Sequence, residues 1–206
     1  MYSIDAETGT INWSQYFTEW ITDSPTVDSK SLYVSAESKF YAVSREKGNI
    51  QWKLDIGNIT NFGAPVVNSP LVDDTLIYFA GQKMDTGNFY VFALRKSDGH
   101  IKWKKRLKSV VGPAFGEGVL IVPSYAEQKV YALSPDDGSE RFSIELPVSG
   151  GAFSPITVSG NKALIGTTEL ASFGGEDNVE KIRITCFASI YLNKITVLLG
   201  KIGSHR

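Results

Sequence analysis

One short phrase recurs four times in this chain, and a fixed internal repeat restricts the possible architectures more than any single residue does. The copies are Ser3-Ile4-Asp5-Ala6-Glu7-Thr8-Gly9, Ala42-Val43-Ser44-Arg45-Glu46-Lys47-Gly48, Ala93-Leu94-Arg95-Lys96-Ser97-Asp98-Gly99 and Ala132-Leu133-Ser134-Pro135-Asp136-Asp137-Gly138. An aromatic residue stands four positions after each glycine: Trp13, Trp52, Trp103 and Phe142. A proline opens each longer unit, at Pro25, Pro70, Pro113 and Pro155, with intervals of 45, 43 and 42 residues.

Between successive prolines lie four short apolar runs, among them Leu32-Tyr33-Val34, Phe40-Tyr41-Ala42-Val43 and Ile50-Gln51-Trp52. One run every ten or so residues, rich in Val, Ile, Tyr and Phe, is the spacing of antiparallel strands. No segment sustains a capped 3.6-residue period, so little helix is expected. The phrase itself is a turn. Asp or Ser at its front can bond backbone two residues on, and Gly9, Gly48, Gly99 and Gly138 can take positive φ without a Cβ penalty. Strand alternation then places Ile11 with Trp13, Ile50 with Trp52 and Ile101 with Trp103 on common faces.

A lone four-stranded unit cannot bury both faces, so units of this kind stack, and about 40 residues per four strands is the size of a propeller blade. A buried Trp removes about 150–250 Å² from water, worth about 4–6 kcal/mol gross. The aromatics therefore read as structural. The combination Ser3, Asp5, Thr8-Gly9 and Trp13, kept in register four times, resembles the tryptophan-docking motif of pyrroloquinoline quinone (PQQ)-like β-propellers. The resemblance covers residues 1 to about 168. It implies an all-β fold of four-stranded antiparallel blades in which Trp13, Trp52, Trp103 and, less fully, Phe142 lock onto the turn glycine of a neighbouring blade. Residues 169–206, which lack the phrase, are expected to be a degenerate last blade or a C-terminal extension.

Counting phrases gives three full units, a leading half over residues 1–17 and a trailing unit from about 154. Two arrangements follow. Joining the leading outer strands to the trailing inner strands closes a four-bladed ring; otherwise the chain is part of a larger ring whose open edges favour self-association. The first residue, inside a repeat phrase with no signal-like n- or h-region, is expected to mark a fragment boundary.

The resemblance admits two functions. Some members are quinoprotein dehydrogenases that hold the quinone and calcium; others, similar to the outer-membrane barrel-assembly lipoprotein, keep only the propeller as a docking platform. The adjacent-cysteine disulfide on which many of the dehydrogenases stack the quinone cannot form here, since Cys186 is the single cysteine. The expectation is thus a non-catalytic scaffold that binds protein partners on a blade rim or strand edge, with no catalytic, metal or cofactor residues assigned. PQQ and calcium belong only to the alternative of a dehydrogenase fragment, and an extracellular sensor domain is a third reading. A net charge of −1 gives no general attraction to nucleic acid or an anionic membrane, and the apolar stretch 182–199 is too interrupted to span one. The resemblance favours an extracytoplasmic location.

Other candidates have plainer readings. Residues 82–88 lengthen one unit and suggest a binding insertion or simply a longer hairpin. Lys102, Lys104, Lys105, Arg106 and Lys108 could meet an anionic partner or blunt an exposed strand edge. Gly174-Gly175-Glu176-Asp177-Asn178 has oxygen ligands without the spacing of a calcium loop. His100 and His205 lack triad or zinc partners in sequence, and Cys186 reads as a small buried hydrophobe.

Overall fold

The four phrases fold into turns with the same bonding. In each, the glycine N–H donates to the carbonyl four residues earlier: Gly9 to Asp5, Gly48 to Ser44, Gly99 to Arg95 and Gly138 to Ser134, all at 2.9 Å. All four glycines have φ of 72–73°, the left-handed region in which a side chain is strained. In the computed structural model the described residues are 1–21, 24–36, 39–55, 59–60, 69–83, 87–146, 156–159, 162–169, 183–191 and 196–201. Among them there is no helix.

The chain divides into two compact units, Met1–Lys104 and Lys105–Arg206. The first opens with the hairpin β1 (Tyr2–Ile4) and β2 (Ile11–Ser14), a two-stranded sheet. A four-stranded meander follows: β3 (Thr26–Val27), β4 (Ser31–Ser35), β5 (Lys39–Ser44) and β6 (Ile50–Asp55). The next sheet contains β7 (Ile59–Thr60), β8 (Leu71–Val72), β9 (Leu76–Lys83), β10 (Asn88–Arg95) and β11 (Ile101–Leu107), in the order β11-β10-β9, with both β7 and β8 on the far edge of β9. The lengthened segment here is a longer hairpin: β9 and β10 pair continuously from Leu76↔Arg95 to Lys83↔Asn88, and residues 84–86 lie outside the described residues.

Two apolar layers hold this unit. One face of the first meander (Tyr33, Phe40, Ala42, with Trp52 and Leu54) packs on Ile77, Phe79, Phe92 and Leu94 of the second sheet. Phe40, Phe79 and Phe92 stack in sequence at 4.8 and 4.9 Å. The opposite face (Val34, Ala36, Tyr41, Val43) is covered by Met1, Trp13, Phe17 and Ile21 from the N-terminal segment.

The second unit holds two further four-stranded meanders: β12 (Ala114–Gly116), β13 (Val119–Ser124), β14 (Lys129–Leu133), β15 (Glu140–Glu145); and β16 (Thr157–Ser159), β17 (Lys162–Glu169), β18 (Arg183–Tyr191), β19 (Thr196–Lys201). Ile121, Val130, Ala132, Ile144, Leu146, Ile156, Ala163 and Ile165 form its core.

Two expectations are corrected. The shared blade, in which residues 1–17 would extend the strands after Ser154, is not how these strands pair. β17 has β16 on one edge and β18 on the other, so no edge of it remains for the hairpin. Nor do Ile50 and Trp52 share a face. The β5–β6 register shifts so that Val43 pairs with Ile50 and Ala42 with Trp52. This bulge at Gln51 adds one residue to the strand and reverses the alternation. The same shift occurs between Ser3/Ile4 in the first hairpin and Ala132/Leu133 in the third phrase-bearing meander. In the first meander the bulge separates Ile50 from the indole and turns Trp52, together with Leu54, toward the next sheet.

Candidate functional site

The phrase residues build a joint between successive sheets. Trp13 donates its Nε1–H to the Arg45 carbonyl at 2.9 Å, and Trp52 donates to the Lys96 carbonyl at 2.9 Å. Each acceptor lies three residues before the next turn glycine, and each indole lies flat over that glycine. A Cβ placed on Gly48 would stand 2.5 Å from the Trp13 ring, and one on Gly99 would overlap the Trp52 ring in the same way. Glycine is therefore required twice over at these positions, by its φ and by the ring above it. Trp103 is 9% exposed and its ring lies 6.1 Å from that of Tyr78. Phe142 is half-buried against the core of the second unit, and Gly138 closes its own turn. Gly9 differs: its turn is formed, but among the described residues nothing lies within 4 Å of the position a Cβ would take.

A polar network surrounds the Trp52 joint. Asp28 Oδ1 accepts from the Lys30 and Ser31 N–H groups, both at 2.8 Å, while Oδ2 meets the Tyr33 hydroxyl at 3.1 Å and the Lys96 ammonium at 2.6 Å. Lys96 Nζ also donates to the Asp73 carbonyl at 3.0 Å and lies 5.9 Å from the centre of the Tyr33 ring. Asp73 repeats the arrangement: Oδ1 accepts from Thr75 N and Leu76 N, and Oδ2 from the Tyr78 hydroxyl at 2.6 Å. Burial works against ionisation of Asp28, but Lys96, the two N–H groups and Tyr33 outweigh it and bring the carboxyl down to about 2. Burial, reinforced by the charge of Asp28, pushes the Tyr33 phenol up to about 12. Sequence reasoning missed this network. Its signal was present: an Asp three residues and a Tyr eight residues after both Pro25 and Pro70.

The second unit carries a different polar cluster. The fully buried Ser124 has its Oγ within reach of the Lys108 carbonyl and, at 3.0 Å, of Glu127 Oε2, which also accepts from the Tyr131 hydroxyl at 2.9 Å. Burial raises the Glu127 carboxyl, and the hydrogen bonds from Tyr131 and Ser124 overcome this and lower it.

The remaining candidates separate. On β11, Lys102, Lys104, Arg106 and the following Lys108 are exposed, and Lys104 lies 5.8 Å from the centre of the Tyr90 ring. His100 is exposed, its Nδ1 3.3 Å from Asp98. Residues 174–178 and His205 lie outside the described residues, as does the side chain of Cys186. Ser29, Lys30, Ser44, Arg45, Glu46, Lys47, Asn49 and Gln51 line an open depression of about 670 Å³ on the rim of the first meander. Among the described residues no three His, Cys, Asp or Glu side chains converge as a metal site, and no helix is long and apolar enough to cross a membrane.

All-β meanders of about 42 residues, with indoles seated on the next turn glycine, define a β-propeller built of PQQ-like repeats. A family model described as "Outer membrane protein assembly factor BamB" matches residues 1–109 and 87–179, and the chain belongs to that family. Among solved structures it is similar to BamB from Moraxella catarrhalis (TM-score 0.67, 12% identity, covering 95% of this chain and 57% of that one). It is also similar to a quinohemoprotein alcohol dehydrogenase from Pseudomonas putida (0.64, 12%, 98% and 39%) and to the Pan2 WD40 domain of Neurospora crassa (0.57, 10%, 85% and 50%). The chain thus spans about half the length of these proteins, and at such identities the likeness is one of fold. No curated protein sequence matches it.

Proposed function

We propose that this chain acts as a non-catalytic β-propeller scaffold that offers sheet faces and rims to protein partners outside the cytoplasm. One observation carries the reading. The carboxylates of the repeat serve the fold's own turns: Asp5, Asp28, Asp73, Asp98 and Asp137 each accept backbone N–H bonds within their own loops. Those oxygens are committed to local structure rather than gathered around a cation. Membership in a family described as outer-membrane assembly factors supports both the scaffold role and the extracytoplasmic location.

The test is a titration of the purified chain with PQQ and calcium, followed by absorbance and by the thermal midpoint. We expect no saturable binding at micromolar quinone and an unchanged melt, because only a ligand that binds the native state stabilises it. A bound chromophore with a raised midpoint would turn the assignment to a quinone-dependent dehydrogenase. Fractionation of the native cells, probed with an antibody to the chain, tests the location; recovery in the cytosol would overturn that part.

A further inference from the structure

The larger sheets differ in charge. Asp55, then Glu140 and Glu145, then Glu169 lie on strands of three of them, whereas β7 to β11 contain neither Asp nor Glu. Within that sheet β11 holds Lys102, Lys104, Lys105 and Arg106. Lys102, Lys104 and Arg106 are exposed and alternate with the buried Trp103 and Leu107, so they form a row with a repeat of about 6.6–6.8 Å. The repeat supplies its own comparison. In the neighbouring phrases a lysine nine residues before the turn glycine faces a carboxylate seven residues after it: Lys39 opposite Asp55, and Lys129 opposite Glu145 with 3.3 Å between the charges. The same positions about Gly99 hold Tyr90 and Arg106. A cation stands in place of the carboxylate and an aromatic ring in place of the lysine, and Lys104 Nζ lies 5.8 Å from the centre of that ring. β11 is also the last strand of its sheet, and among the described residues no strand pairs with its outer edge. It lies in the interior of the sequence, with described strands before and after it.

We propose that the outer edge of β11 binds an extended acidic segment of a partner protein, with carboxylates at alternate positions facing Lys102, Lys104 and Arg106. The partner's backbone pairs with the free edge, and strand pairing gives its side chains the same repeat as the cations. Edge lysines discourage strand addition in general, because a neutral strand would crowd unpaired ammonium groups. Carboxylates directly opposite them remove that cost and select the occupant by charge. A second copy of this chain does not supply such a strand: among the described residues no strand carries Asp or Glu at two alternate positions. The proposal deepens the scaffold reading and rests on it for the partner being a protein.

The probe is a labelled synthetic peptide with Glu at alternate positions and Thr or Val between them, and its binding to the full chain is read by fluorescence anisotropy. We expect saturable binding that weakens as salt is added. Reversing the row with Lys102→Glu, Lys104→Glu and Arg106→Glu together should weaken it at least about tenfold, the sum of three exposed charge pairs. The single variant Lys104→Gln should weaken it less, and it serves should the triple variant not fold. Lys53→Glu on β6 should leave binding unchanged. Two further peptides test the strand geometry: one with the same residues but its glutamates in a single block, and one N-methylated on the backbone nitrogens of one edge. Both should bind more weakly than the alternating peptide. Absence of binding, indifference to both the triple variant and Lys104→Gln, or equal loss from Lys53→Glu would overturn the proposal. Equal binding of the block or N-methylated peptide would reduce the row to a general anion-attracting surface and overturn it too. The peptide is also titrated against the protein isolated from its native cells; loss of binding there would mean that the edge is already covered, and would overturn the proposal as well. The quinone titration reads none of these outcomes, so the two readings fail separately.

Discussion

The two units answer the same packing problem with different chemistry. In Met1–Lys104, sheets are joined by indoles bonded to backbone carbonyls and by the Asp28–Tyr33–Lys96 network. In Lys105–Arg206, Ile121 and Ile165 stand where Tyr78 and Tyr33 stand in the first unit. All four face an alanine of the next strand: Ala42 for Tyr33, Ala93 for Tyr78, Ala132 for Ile121 and Ala188 for Ile165. There Phe142, which has no N–H to donate, packs against an aliphatic core. Even the inner turns differ. Asp28 and Asp73 cap theirs through carboxylates, whereas Glu117 and Gly118 form a two-residue turn with φ of 50° and 72°, the mirror-image type that suits hairpin twist. Directional polar joints fix one geometry; apolar joints rely on area and tolerate repacking.

This contrast is open to direct attack. All four tryptophans lie within residues 1–104, so indole fluorescence follows the first unit while circular dichroism follows both. The largest effect should come from Trp52→Ala, about 3–5 kcal/mol off the fluorescence-detected transition, as for other large aromatic truncations. Phe142→Ala should cost about 2 kcal/mol, seen in the second unit. Equal losses would erase the distinction.

Next, Gly99→Ala should destabilise by about 3 kcal/mol, since strain at positive φ and overlap with Trp52 add, against about 1 kcal/mol for Gly9→Ala, where only the backbone term acts. Similar values at the two sites in chemical denaturation would show that the ring contact contributes little.

A smaller effect is acid sensitivity. The folded Asp28 carboxyl is depressed to about 2 from an ordinary value near 4. Its contribution is therefore whole above about pH 4 and is lost as pH falls toward about 2. Asp28→Asn should flatten the fluorescence-detected midpoint across that window; a wild-type slope retained in the variant would place the sensitivity elsewhere. Ile121→Val, a one-methylene change in the aliphatic core, should cost only about 1 kcal/mol in the second unit, and a loss as large as that of Trp52→Ala would mean the core there is as exacting as the indole joint.

Much of the fold was legible because its markers are local. A glycine that must take positive φ, a proline before each inner strand and an aromatic at fixed distance are all set within about ten residues. The bulge was not legible, since Ile50-Gln51-Trp52 reads as plain alternation and only the pairing with Val43 and Ala42 exposes the extra residue. The pairing of β17 with β18 escaped for a related reason. Residues 183–191 lack a phrase, and their match to 162–169 is a matter of register across the sheet. The Asp28–Lys96 ion pair joins residues far apart in sequence, so only the recurrent Pro-to-Asp-to-Tyr spacing hinted at it. Trp13 and Trp52, by contrast, stand over the turn glycines of the neighbouring sheet, a relation that follows from the period once the blades are stacked.

The indoles address peptide carbonyls, not side chains. Ala6, Arg45, Lys96 and Pro135 hold equivalent places in the four phrases, ranging from a methyl to two cations to an imino ring. Because the acceptor is common to every amino acid, the residue above it is at liberty to change. A lineage of such repeats can rewrite the charge of its rim, blade by blade, without loosening the fastening beneath.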